Sequence, residues 1–268
     1  MTAGVRVAGF GALLAAIFVL AAITGRAAGP TTISAGDEQH DAAAGAQHGA
    51  ATADPAAPEL RLVTTATTLT PGRARRFSFE IQDATGDRVR DFEVEQGRRM
   101  HLIVVRRDLR RFQHLHPRQD ARGRWSASLR LPDAGVYHAF ADFRTAGSRH
   151  ALGTDLFAAG RFEPLALPAS RTAAVTDGYD VTLRDDGGQL RFNVGRGGVM
   201  ITGLQPYLGA RGHLVMLRAG DLDYQHVHPV SDLAFDTSEA EPGTYRLFLQ
   251  FRHADRVRTA AFTHEVAR

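Results

Sequence analysis

Three observations predict an all-β protein of two tandem sandwich domains, preceded by a hydrophobic helix and a linker. Apolar residues alternate at period two in short segments, turn signals punctuate them, and the whole pattern occurs twice.

The first segment precedes the fold. Met1 to Arg6 carries one charge, and Val7 to Thr24 then runs without any. A helix of that length reaches about 27 Å, near the hydrocarbon thickness of a bilayer. Residues 1–25 therefore read as a signal peptide or a membrane anchor. Ala27, Ala28 and Gly29 supply small residues for cleavage, and either reading places the remainder outside the cytoplasm. Residues 26–58 are dominated by Ala, Gly, Thr and Pro. They bury too little apolar surface to offset ordering entropy, so a disordered linker is expected, with His40 and His48 in it.

The rest reads as a duplication. Met100-His-Leu-Ile-Val-Val to His-Leu-His-Pro117 aligns without a gap on Gly212-His-Leu-Val-Met-Leu to His-Val-His-Pro229. His101, His114, His116 and Pro117 fall on His213, His226, His228 and Pro229, each displaced by 112 (213 − 101). Downstream, Asp133-Ala-Gly-Val-Tyr to Phe-Arg144 matches Glu241-Pro-Gly-Thr-Tyr to Phe-Arg252, displaced by 108 (241 − 133), as a shortened loop would give. The expected copies span 59–166 and 167–268, with the boundary in the proline-bearing Glu163-Pro-Leu-Ala-Leu-Pro168.

Within the first copy, Phe77–Ile81 and Trp125–Leu131 alternate as half-buried strands should. His101–Val105 is β-branched and nearly continuous, and Tyr137, Ala139, Ala141 and Phe143 share one face of a further strand. Asp133-x-Gly-x-Tyr137 and Glu241-Pro-Gly-Thr-Tyr245 resemble the tyrosine corner of immunoglobulin-like domains, which makes each copy an immunoglobulin-like β-sandwich. Where antibody domains carry a cysteine two positions later, this chain has Ala139 and Leu247.

Composition removes several function classes. Cysteine is absent, which excludes disulfides, thiolate zinc sites, iron–sulfur clusters and cysteine nucleophiles. The 32 basic residues are all arginine, which removes Schiff-base chemistry and lysine-dependent phosphate loops. Against 29 acidic residues the net charge is only +3, so no nucleic-acid partner is expected. No Gly-x-Ser-x-Gly elbow or His-Glu-x-x-His motif occurs, so the chain is not read as an enzyme.

The histidines carry the remaining signal. His114 and His116 project from one face of a strand. A four-residue turn after Arg106 places Arg106 opposite Arg111, and counting outward places His101 opposite His116. In the second copy Arg218 meets Asp223 and His213 meets His228. Two metal sites are thus expected near a sheet rim: His101, His114 and His116 in one, His213, His226 and His228 in the other. Asp142 is a candidate fourth ligand in the first; Gln250 holds that position in the second. Three imidazoles without thiolate suit Cu(II), Zn(II) or Ni(II), and an extracytoplasmic setting favours copper, with zinc the alternative. Nitrogen spacings of about 3–4 Å fit a single ion, and release is expected below about pH 6. His138 and His253 have no counterpart in the other copy. The competing reading is a non-catalytic tandem module that binds an envelope protein partner, its histidines purely structural.

The paired Met-His-Leu-Ile-Val-Val…Gln-His-Leu-His-Pro and Gly-His-Leu-Val…His-Val-His-Pro blocks resemble a group of actinobacterial secreted or membrane-anchored heavy-metal-binding-type proteins, over nearly all of residues 60–266. In outline the domains are also similar to YtkA-like and CopC-type copper-handling sandwiches. The CopC-type likeness is architectural, and no ligand is carried over from it. The resemblance implies metal buffering or delivery in the cell envelope.

Overall fold

The fold is all-β, as a computed structural model describing residues 59–267 shows; no helix occurs among them. The expected N-terminal helix and linker, with His40 and His48, lie outside the described residues. Among the described residues no helix is long and apolar enough to cross a membrane.

The first half contains β1 (Arg61–Thr64), β2 (Thr68–Leu69), β3 (Ala74–Gln82), β4 (His101–Arg106), β5 (Arg110–Leu115), β6 (Arg118–Gln119), β7 (Trp125–Arg130), β8 (Gly135–Thr145) and β9 (Ser148–Ala158). Sheet β1-β3-β7-β6 faces sheet β2-β9-β8-β4-β5. Phe77, Phe79 and Trp125 from one meet Leu102, Val104, Tyr137 and Phe143 from the other in a shared core. The four strands expected here from apolar patterning lie at β3, β4, β7 and β8.

The second half contains β10 (Ala173–Thr176), β11 (Tyr179–Asp185), β12 (Gln189–Arg196), β13 (Val199–Met200), β14 (Gly212–Arg218), β15 (Tyr224–Val227), β16 (Pro229–Ser231), β17 (Ala234–Asp236), β18 (Gly243–His253) and β19 (Arg256–Val266). Sheet β10-β11-β12-β17-β16, with β13 on β12, faces sheet β15-β14-β18-β19. Val181, Phe192 and Phe235 pack against Leu214, Tyr245 and Phe251 in its core.

Each corner tyrosine closes as its motif predicts. The Tyr137 hydroxyl donates to the Asp133 carbonyl at 3.0 Å, and the Tyr245 hydroxyl to the Glu241 carbonyl at 2.9 Å.

A third apolar cluster joins the halves. Even-numbered Leu102 and Val104 enter the first core, while odd-numbered Ile103 and Val105 turn the opposite way. With Phe140 they meet Val215, Leu217 and Phe248 from β14 and β18. Strands buried on both faces read as continuous apolar runs, which accounts for the unbroken 101–105 sequence. Two ring stacks cross this layer: Phe112 on Phe248 at 4.2 Å, and Phe140 on Tyr224 at 4.8 Å.

The first hairpin departs from the expected four-residue turn. Arg106 pairs with Arg110 rather than Arg111, and a bulge separates Val104 from Arg106. Leu109 and Arg111 both take left-handed backbone (φ 58°), which rolls the tip inward and buries Leu109 between the halves. The bulge restores the register, so Leu102 still faces Leu115 and the outward count still sets His101 beside His116. The second hairpin follows expectation: Leu217 faces Tyr224, and the Arg218 N–H donates to the Asp223 carbonyl at 3.0 Å. Pro117 and Pro229 end the hairpins where the chain crosses to the opposite sheet, at β6 and β16.

Because an apolar layer fuses them, the two sandwiches should unfold together. Phe248→Ala should cost about 3–5 kcal/mol in urea denaturation, the usual range for a buried Phe, within one transition. Two separated transitions in the unmodified protein contradict this.

Candidate metal centre

His101 stands on β4 in the same odd-numbered row as Ile103 and Val105. His114 on β5 lies opposite Ile103, and His116 follows one residue beyond the strand. All three rings therefore leave the same face of the sheet. One ligand atom from each lies within 4.8 Å of the others, and this is the one such trio among the described residues. His101 Nδ1 and His114 Nε2 are 2.9 Å apart.

Counting protons shows what this contact requires. His101 Nε2 lies 3.3 Å from the Glu95 carbonyl, which only accepts, so the hydrogen sits on Nε2. His114 Nδ1 lies 2.6 Å from Gln250 Oε1, which in this amide orientation accepts its hydrogen, while Gln250 Nε2 lies 3.4 Å from the Thr259 hydroxyl. Two neutral imidazoles own one N–H each, and both are now committed. With Gln250 accepting, the lone pairs of His101 Nδ1 and His114 Nε2 face one another across 2.9 Å, an arrangement that a proton or a metal ion satisfies.

The second set does not form a separate rim site. His213 and His226 come from β14 and β15, and they enter the same cluster. The ring of His101 is 5.3 Å from His226 and 6.5 Å from His213. His213 Nδ1 and His226 Nε2 are 3.3 Å apart. The His228 ring lies 5.4 Å from His226, and its Nε2 accepts from the Arg149 guanidinium. The two expected rim sites thus form one assembly at the joint between the halves. His101, His213 and His226 are buried, while His114, His116 and His228 are half-buried. Each set does lie at a sheet edge, β5 or β15, and both edges lie at this joint.

The supporting contacts cross between halves. Asp142 lies beside His101 on β8, and Gln250 lies beside His213 on β18. Asp142 accepts from His226 Nδ1 at 2.7 Å and from the Tyr224 hydroxyl at 2.8 Å. Gln250 reaches His114 in the other direction. Asp142 is therefore not a fourth ligand here; it fixes the His226 tautomer and turns Nε2 toward His213. Arg149, Tyr224 and the Glu95 carbonyl were absent from the sequence reading, and Gln250 entered it only as the residue aligned with Asp142. The aligned positions of Asp142 and Gln250 carried the one available signal. His138 bonds Asp155 at 2.7 Å and His253 bonds Tyr179 at 2.7 Å, both outside the cluster.

Burial governs the electrostatics. It lowers His101, His116 and His228 to about 4 and His213 to about 3, with mutual repulsion from His226 adding to each. His114 also falls well below its ordinary value, for burial first and the charge of His101 second. Burial works to raise Asp142, but the hydrogen bond and charge of His226 outweigh it and hold the carboxyl at about 2. His101, His114, His116, His213 and His228 are accordingly neutral and available as ligands at neutral pH. Protons compete for them near pH 4 rather than near 6.

The geometry defines a class: an all-β protein of paired sandwiches with a buried, neutral histidine cluster at their joint. The chain belongs to the family described as Domain of unknown function (DUF8832), whose model matches residues 57–159 and 173–268. No curated protein matches it. Among solved structures it is similar to a mutant Salmonella alpha-2-macroglobulin, at 12% identity over 78% of this chain and 15% of that one, TM-score 0.29. An Escherichia coli alpha-2-macroglobulin activated by porcine elastase gives 12% identity, 79% and 20% coverage, and TM-score 0.29. Domains 5–6 of the S-layer protein SbsC give 11%, 78%, 98% and 0.23. This chain spans a fifth or less of the two macroglobulins. These likenesses carry no functional argument.

A histidine whose folded pKa lies below its unfolded value binds fewer protons folded than unfolded. Stability is then full above the unfolded value of 6.5 and falls as pH drops toward about 4. The melting temperature of metal-stripped protein should therefore decline steadily between about pH 7 and about pH 4.5. A flat profile contradicts neutral burial.

Proposed function

We propose that this is a non-catalytic, extracytoplasmic metal-binding protein. It holds copper, with zinc the alternative, at His101, His114 and His116, and serves buffering or delivery. The reading rests on one observation: two imidazole nitrogens set 2.9 Å apart beside a third imidazole, in a site whose burial disfavours the charged form of all three. Donors bonded at about 2.0 Å lie roughly 2.8 Å apart at right angles and 3.3 Å apart tetrahedrally, so the 2.9 Å between His101 Nδ1 and His114 Nε2 suits one ion. An all-imidazole set favours Cu(II) on the divalent affinity order. The uncharged run Val7–Thr24 supports secretion or membrane anchoring. The corner tyrosines and facing sheets support immunoglobulin-like domains, and the recurrence of His…His-x-His-Pro supports an origin by duplication.

A second reading has its own support. His114, His226 and His228 are each held by a partner from the opposite half, as residues that pin an interface would be. In that case the protein is a tandem interaction module for an envelope partner.

Competition titration separates them. The unmodified protein should take up Cu(II) or Zn(II) against a chelator of known affinity, and His116→Ala should weaken uptake by roughly 10–100-fold or more, at least the loss reported for supporting residues. His116 is half-buried, so its truncation spares the joint. Equal, weak uptake by both proteins leaves the interaction module.

A further inference from the structure

We propose that the cluster holds two adjacent metal ions, the second between His213 and His226, so that a binuclear centre spans the joint between the halves. This rests on the metal-binding reading above and extends it to residues outside the His101–His114–His116 trio.

The second pair has the spacing and orientation of ligands. His213 Nδ1 and His226 Nε2 are 3.3 Å apart, the tetrahedral value for bonds of about 2.0 Å. Asp142 takes the His226 Nδ1 hydrogen, so the neutral form of His226 presents its Nε2 lone pair to His213. Without metal, His213 satisfies that lone pair by donating from Nδ1, and its Nε2 is then a buried acceptor with no hydrogen-bond partner. An ion between the rings removes the mismatch, because His213 then carries its hydrogen on Nε2. The loop at Tyr207 is the counterpart of the loop at Glu95 (207 − 95 = 112), whose carbonyl takes the equivalent hydrogen of His101.

Adjacency follows from the packing. The His101 ring, a ligand of the first ion, lies 5.3 Å from His226, and His114 lies 6.1 Å from both His213 and His226. Asp142 supplies a buried negative charge between the two sets. The remaining coordination positions fall to solvent or to bridging oxygen.

The test uses the full chain and Cu(II) alone. Two ions per chain should survive gel filtration. The electron paramagnetic resonance signal should grow with the first equivalent, then broaden or fall with the second as the spins couple. His213→Ala should retain one ion with an uncoupled spectrum. The unmodified protein suffices if that variant does not fold, since coupling needs no substitution. One ion per chain overturns the second site and leaves the metal-binding reading intact. Two ions without coupling overturn adjacency, and two coupled ions in folded His213→Ala overturn the assignment. No bound ion removes both proposals.

Discussion

Five or six imidazoles pressed into a protein joint are unfavourable unless each nitrogen finds a partner, and that constraint organises the molecule. Burial strips the rings of water and disfavours their charged form, and a neutral ring has one hydrogen to give and one lone pair to place. Asp142 and Gln250 settle most of this by reaching across from opposite halves, each fixing one tautomer. What they leave is a pair of lone pairs with no hydrogen between them. Structure and chemistry meet at that contact.

The same requirement explains the architecture around it. A centre assembled from two sandwiches needs them held in fixed relation, and the apolar layer of Ile103, Val105, Phe140, Val215, Leu217 and Phe248 does so next to the histidines. The rings stacked across the layer hold the hairpins that carry His114 and His226. Burying Leu109 requires a left-handed turn and a bulge, yet these leave the histidine end of the hairpin in register.

Much of this was legible in the sequence because it is local. Period-two alternation marks β3 and β7, and the Gly-x-Tyr corners mark entry to β8 and β18. Counting outward from the hairpin turns placed His101 beside His116, although the turn itself is one residue shorter than expected. The nearly continuous apolar run His101–Val105 marked a strand, but its burial on both faces was not drawn from it. What it did not name was the second face's partner. That partner is more than a hundred residues away, on a strand with the same ambiguous pattern. The merging of two expected sites into one assembly was therefore hidden, as were Arg149 and Tyr224, whose roles exist only across the joint. Asp142 was noticed for its chemistry and given the wrong task, because only the fold shows its carboxylate turned to His226.

The most direct measurement is a crystal structure of copper-loaded protein, with anomalous scattering collected at the copper edge. The account predicts a peak bonded at about 2.0 Å to nitrogens of His101, His114 and His116. A peak elsewhere on the surface, or none at the joint, contradicts it.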